Sequence, residues 1–314
     1  MLCCALAHST LTFLIRLGAT RFAFPALSTI LIRSVIDGTL SSLYIIKYVD
    51  YEENIRSVTG RQWLFVVFRG VTAGCSIFCQ VTALKLISMG NAVTLLSTCP
   101  TISTVMAAIF LSEPVGSIDV LSLITSFVGV VLVAQPSFLH FPSRSDSEAS
   151  KDVDIGYGIA LAAAWFTSSM SVATRFLGRS VNFMVNVLSL AVFLFTISLM
   201  LCGPREFDNL KNNIPGLSVN ILAGICGCIA QSCLSKSLQF CRAGPALLVR
   251  SMTIPFSYCY GLIFLGEKPS LLTLSGVAMV VAAVIALSLK ELRMDERFMQ
   301  SSAFVSTKES YADS

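Results

Sequence analysis

Few residues in this sequence can do chemistry, and nearly all of them lie inside long apolar runs. Arg33 and Asp37 stand mid-way along one such run. Their i, i+4 spacing puts them on one helical face, so they read either as a self-neutralising pair or as cavity-lining, proton-linked groups. Arg250 follows Gly244-Pro245 by about one helical turn, with Ser251 and Thr253 beside it. A guanidinium binds carboxylate or phosphate through paired donors, which makes Arg250 an anion-recognising candidate against the alternative of an arginine snorkelling to an interface. Gln80, Gln231, Lys236 and Trp165 are supporting candidates, each also readable as a packing or interfacial anchor. Ser97 and Ser251 complete the polar set, unless their hydroxyls bond back to their own helix carbonyls.

Signatures of catalysis are absent. The sequence has no G-x-S-x-G, no H-E-x-x-H and no Walker A loop, and Gly156-Tyr157-Gly158 opens an apolar run rather than following a strand. Two histidines, His8 and His140, leave little for imidazole catalysis. Cys226-x-Cys228 lacks the further ligands a zinc site needs, so no metal and no cofactor is expected. The chain reads as a non-enzyme, and without a nucleotide-binding loop any transport it performs would be driven by gradients.

The elements that must position these residues follow from composition. Of 314 residues, 54% are hydrophobic and only 13% charged, about half the charged share of a soluble domain. The net charge of +4, with no basic cluster, argues against nucleic acid. A bilayer is the solvent such a chain requires. Segments of about 20 apolar residues, the length that crosses the hydrocarbon, occur ten times: 2–18, 24–46, 63–84, 91–111, 118–135, 155–176, 183–202, 217–240, 245–265 and 270–289. The polar stretch 136–154 divides five from five, and a charged, Ser-rich tail follows from 290 to 314. The Lys/Arg balance of the loops slightly favours both termini in the cytosol.

The two halves echo each other. At a constant offset of 154 residues, Gly90, Ala92, Ser97, Ser103, Ile109, Phe110, Leu111 and Glu113 fall on Gly244, Ala246, Ser251, Ser257, Ile263, Phe264, Leu265 and Glu267. Gly90, Glu113, Gly244 and Glu267 frame this motif as structural markers, each Glu preceding the next span, where a helix N-terminus favours a carboxylate. Five is odd, so the second copy must enter the membrane upside down. Inverted repeats are a recurring secondary-transporter architecture, with the substrate site near the midplane between them. Gly70-x3-Gly74 and Ala223-x3-Gly227 are expected to let helices approach closely.

The segments Ala83-Leu84-Lys85-Leu86-x3-Gly90-Asn91-Ala92 and Phe110-Leu111-Ser112-Glu113 resemble the EamA-type repeat of the drug/metabolite transporter superfamily. The second copy, Ser237-Leu238-Gln239-Phe240-x3-Gly244-Pro245-Ala246 with Phe264-Leu265-Gly266-Glu267, does so as well. Residues 243–250, ending in Arg250, resemble the G subfamily of solute-carrier family 35, the group that also holds nucleotide-sugar transporters. The resemblance implies a ten-helix bundle with cytosolic termini and a central cavity within reach of Arg33, Asp37 and Arg250. Set against the sixth span, the first is shorter, as in a truncated helix.

These readings converge on an all-α integral membrane protein of ten transmembrane helices in two inverted five-helix EamA-like repeats, 1–135 and 155–289, joined by the linker and followed by a disordered cytosolic tail. The expected function is secondary transport or exchange of a small organic, anionic metabolite by alternating access. The alternative is a non-transporting membrane regulator or scaffold of the same fold. Expected partners are the lipid bilayer, a small-molecule solute and a second copy in a homodimer. The plasma membrane and the endoplasmic reticulum/Golgi membranes fit the sequence equally.

Overall fold

In the computed structural model the described residues are 1–22, 24–49, 59–87, 92, 95–134, 149–201, 213–264 and 271–290. Gly90, Glu267, most of the linker and the tail beyond 290 lie outside them. Every extended element among the described residues is helical. In chain order these are α1 (Leu2–Phe22), α2 (Ala26–Tyr48), α3 (Gly60–Leu86), α4 (Cys99–Leu111), α5 (Ser117–Ala134), α6 (Ala149–Leu177), α7 (Phe183–Leu201), α8 (Ile214–Phe240), α9 (Ala243–Arg250), α10 (Thr253–Phe264) and α11 (Leu271–Lys290). Among the described residues, seven segments are long and apolar enough to cross a bilayer, and three shorter apolar helices accompany them. The outer surface is apolar, with Leu271 88%, Ile46 81% and Met200 79% exposed. In water that would be untenable; in hydrocarbon it is the expected coat.

Local sequence sets the helix ends. Thr59 and Gln62 form a capping box at the start of α3. Asn213 accepts a hydrogen bond from Gly216 N at 3.0 Å to open α8. Asp119 accepts from Gly116 N at 2.8 Å to open α5. Each satisfies a backbone donor that the first turn leaves without a helical partner. Ser112, at φ 53°, ends α4 in the left-handed region.

Packing follows the duplication. The largest helix contacts pair α3 with α6, α8 with α1 and α2 with α7. Setting α1, α2 and α3 against α6, α7 and α8 turns the α3–α6 contact into α8–α1 and returns α2–α7 to itself. Glycines sit where backbones meet. Gly70 faces the Ser189 carbonyl on α7, and Gly74 leaves room for the Phe193 ring. On α8, Gly227 lies against the Arg33 guanidinium and Gly224 against Ile36. Gly129 of α5 and Gly276 of α11 pack backbone to backbone. At Gly70, Gly129 and Gly276 an added methyl would meet neighbouring backbone, so a larger residue there would have to move a helix.

The ninth span is not the continuous helix that 245–265 suggested. It breaks after Arg250 into α9 and α10, across a turn at Ser251 and Met252. Pro255, without an N–H, cannot bond back to the Ser251 carbonyl. Ile254 N takes that carbonyl instead, at 3.0 Å, so the turn tightens to i→i−3 bonding. The fourth span has the equivalent turn at Ser97 and Thr98, just before Pro100. The two breaks fall at the same offset of 154 residues that relates the motifs.

Candidate functional site

Around the two broken spans lies an interior cavity with two chambers, of about 190 and 270 Å³. His8, Gln80, Thr167 and Arg250 line both chambers, so the two adjoin along these side chains. Ser97 and Ser251 line the first chamber, at the mouths of α4 and α10. Arg33 and Gln231 line the second. Six of the eight binding candidates read from the sequence are thus brought to one cavity, from α2, α3, α8 and the two helix breaks.

Arg250 is the last residue of α9, and the break that ends the helix delivers its side chain to the cavity. One of its terminal nitrogens lies 3.3 Å from His8 Nε2 on α1. A guanidinium only donates, so Nε2 is the acceptor and carries no proton in this contact. His8 was not among the sequence candidates. The signal available was its position inside the first apolar span, where an ionisable group needs a reason.

Arg33 and Asp37 form an i, i+4 ion pair with Nε to Oδ2 at 3.4 Å. Asp37 is fully buried and does not face either chamber, so it holds Arg33 from behind while Arg33 lines the space. Lys236 goes elsewhere: its side chain is exposed, and Nζ lies 5.4 Å from the centre of the Phe183 ring. That is a cation–π anchor at the outer surface. Trp165 is also exposed, at 56%.

Polar contacts order the walls. The Ser76 and Thr167 hydroxyls are hydrogen-bonded to each other across α3 and α6, and Gln80 donates to Ser76 at 2.9 Å. Gln231 is 9% exposed, and its Nε2 has no hydrogen-bond partner. The half-helices α4 and α10 begin at the cavity, with Cys99, Pro100 and Thr253 among its lining. Their first turns are not open donor sets: Ile102 N bonds to the Thr98 carbonyl, Ile254 N to the Ser251 carbonyl and Phe256 N to the Met252 carbonyl, while Pro100 and Pro255 carry no N–H.

One end of the bundle, where α5 begins and α6, α8 and α11 finish, is laced by ion pairs between the two halves. Arg175 Nε contacts Glu113 Oε1 at 2.8 Å. Arg242 lies 3.6 Å from Asp119, which also takes Lys290 at 2.5 Å. Glu113 Oε2 accepts from Ala243 N at 3.4 Å, so this carboxylate serves the N-terminus of α9 across the bundle rather than that of α5. Gly244 packs directly on the Thr104 side chain of α4 at the same end.

Comparison with known proteins places this geometry. A family model described as the EamA-like transporter family matches residues 1–135 and 154–289. The human protein named solute carrier family 35 member G1 is 26% identical over 231 residues, 73% of this chain and 63% of its own length. A protein of Saccharomyces cerevisiae named probable transport protein YPL264C is 25% identical over 243 residues, 72% and 67% of the two chains. The chain spans less than two thirds of the human relative's length. A solved crystal structure with 18% identity aligns at a TM-score of 0.73, over 93% of this chain and 96% of that one, which shows a shared fold.

Proposed function

Because the chain belongs to the EamA-like transporter family, we propose that it is a secondary transporter or exchanger that carries a small organic anion through the cavity described above. The observation that carries the reading is the convergence of Arg250, Arg33, Gln80 and Gln231 on one interior chamber. Asp37 neutralises Arg33, whereas Arg250, among the described residues, makes no ion pair and contacts the His8 ring. A carboxylate or phosphate entering there gains a charge-assisted contact without displacing an acid.

Alternating access is the proposed mechanism. Ten membrane crossings form two five-helix repeats of opposite orientation, with both termini cytosolic. The exchange-symmetric helix pairing and the two matching breaks support this reading. In the state described, the Arg175–Glu113 and Asp119 ion pairs close one face by tying one repeat to the other. Opening that face requires those pairs to part while the opposite face closes. The alternative of a non-transporting scaffold of the same fold gives no reason for a polar interior of this composition.

The test is flux. Purified protein in liposomes, loaded with unlabelled succinate or inorganic phosphate, is given the labelled anion outside. Saturable exchange that falls at least tenfold in Arg250→Ala supports the reading. Exchange at the protein-free rate for every carboxylate and phosphate compound tried would overturn it.

A further inference from the structure

Arg69 is the bulkiest of the fully buried side chains among the described residues. It lies well inside α3, where Nε donates to the Thr174 hydroxyl at 3.2 Å and a terminal nitrogen donates to the Ser235 hydroxyl at 3.0 Å. The other terminal nitrogen, Nη1, is buried with no partner. Among the described residues Arg69 makes no ion pair. A buried guanidinium held by two neutral hydroxyls is an expensive arrangement, and in native structures an unpaired buried donor calls for an explanation.

Its position supplies one. Ala73 of α3, Met170 of α6 and Gln231 of α8 all line the cavity. Arg69, Thr174 and Ser235 are each four residues away on those same helices, in the direction of the ion-paired face. The three therefore form a layer about one helical turn, roughly 5–6 Å, beneath the cavity floor. Gln231, in the floor, also carries an unpartnered donor, Nε2. A third buried group follows on α7: neither amide atom of Asn186 has a partner. Asn186 is one turn from Ser189, whose carbonyl packs on Gly70 beside Arg69. Thr174 in turn adjoins Arg175 of the ion-paired face. Unpartnered polar groups thus descend from the cavity floor toward the closed face, along the seam of α3, α6, α7 and α8.

We infer that Arg69, with Gln231 above it, is a second anion-binding station, where a carboxylate or phosphate oxygen of the transported solute docks as it moves between the cavity and the face closed by Arg175–Glu113. This rests on the anion-transport reading. In the closed state the Thr174 and Ser235 hydroxyls hold the guanidinium in place, and Nη1 and Gln231 Nε2 remain as donors for the arriving oxygen. Arginine suits this role because its planar fork can keep one hydroxyl while presenting another donor to the ligand.

The experiment uses the full chain in liposomes of known orientation, with labelled succinate and labelled phosphate as probes and chloride as the control anion. Arg69→Gln is expected to raise the KM measured from the face closed here more than tenfold, while the KM from the opposite face changes less than threefold. Arg69→Lys is expected to fall between the two. The double variant Thr174→Val/Ser235→Ala removes the tethers and keeps the guanidinium, so it separates docking from a merely structural tie. The inference predicts that this double variant exchanges faster than Arg69→Gln, even where its melting temperature is equally lowered. It is overturned if Arg69→Gln changes both KM values alike, if the double variant matches it, or if chloride alone responds to the substitution. Exchange by the parent that is lost in Arg250→Ala but unchanged in Arg69→Gln would overturn this inference and leave the transport reading intact. No exchange by the parent would overturn both.

Discussion

Arg175 at the end of α6 and Glu113 between α4 and α5 face each other at 2.8 Å, and the pair joins the first half of the chain to the second. Both side chains are partly exposed, so the contact is worth little as stability, on the order of 1 kcal/mol or less. Its weight is conformational: small energies decide between two nearly equal states. Glu113→Gln and Arg175→Gln are expected to leave the melting temperature within a few degrees while raising reactivity of a cysteine placed at Thr104 toward a membrane-impermeant thiol reagent. Swapping the charges, Glu113→Arg with Arg175→Glu, should restore protection. If both single variants label like the parent, the pair does not close this face.

The Arg33–Asp37 pair makes a separate prediction about stability. Asp37 is fully buried and Arg33 nearly so. Removing one partner strands the other charge, a loss of about 3 kcal/mol in such settings, whereas removing both costs less. Asp37→Asn should therefore lower the unfolding midpoint in detergent more than Arg33→Gln/Asp37→Asn does. A double variant as unstable as the sum of the singles would show that the two charges do not support each other.

Gly129 and Gly276 give a packing prediction. A methyl on Gly129 would lie 2.7 Å from the Gly276 carbonyl oxygen, and one on Gly276 would press on Gly129 and Leu132. Backbone offers little room to yield, so Gly129→Ala is expected to destabilise by about 1–3 kcal/mol, the range for overpacked sites. Gly60 and Gly158 have open space around the added atom. Gly158→Ala, inside α6, serves as the neutral control, and equal melting temperatures for the two variants would refute the account of this interface.

Recognition at the cavity predicts a graded series at two residues. Arg250→Lys retains charge but loses the fork, so exchange is expected to drop several-fold, and Arg250→Ala at least tenfold. His8→Gln keeps an acceptor for Arg250 and should retain more activity than His8→Leu. Equal rates for the two His8 variants would mean that the 3.3 Å contact does not orient Arg250.

Much of this arrangement was legible in the chain because lipid leaves strong marks: long apolar runs, rare charges and a fixed offset between repeated motifs. The polar residues that reach the cavity were found by asking which ionisable or amide groups a span could not tolerate idly. Lys236 is not brought to the cavity, because a long side chain at a span end can reach the surface and rest on Phe183. The breaks at Ser97 and Ser251 were hidden because hydropathy averages over a turn, and Pro100 and Pro255 only reveal their effect once the neighbouring carbonyls are followed. Asp37 was grouped with Arg33 by spacing, but periodicity cannot tell which of two residues on a helical face lines a space and which lies behind. Arg69 was overlooked because its burial depends on Thr174 and Ser235, both more than a hundred residues away in sequence.

The proposed inversion of the two halves carries the transport account, since oppositely inserted copies would supply two exchangeable states. Protease-protected tags placed at Ser145 in the linker and after Ser314 report it directly in sealed vesicles. Opposite sidedness of the two tags is the predicted result, the C-terminal tag on the cytosolic side. Both tags digested, or both protected, in vesicles of one orientation would contradict it.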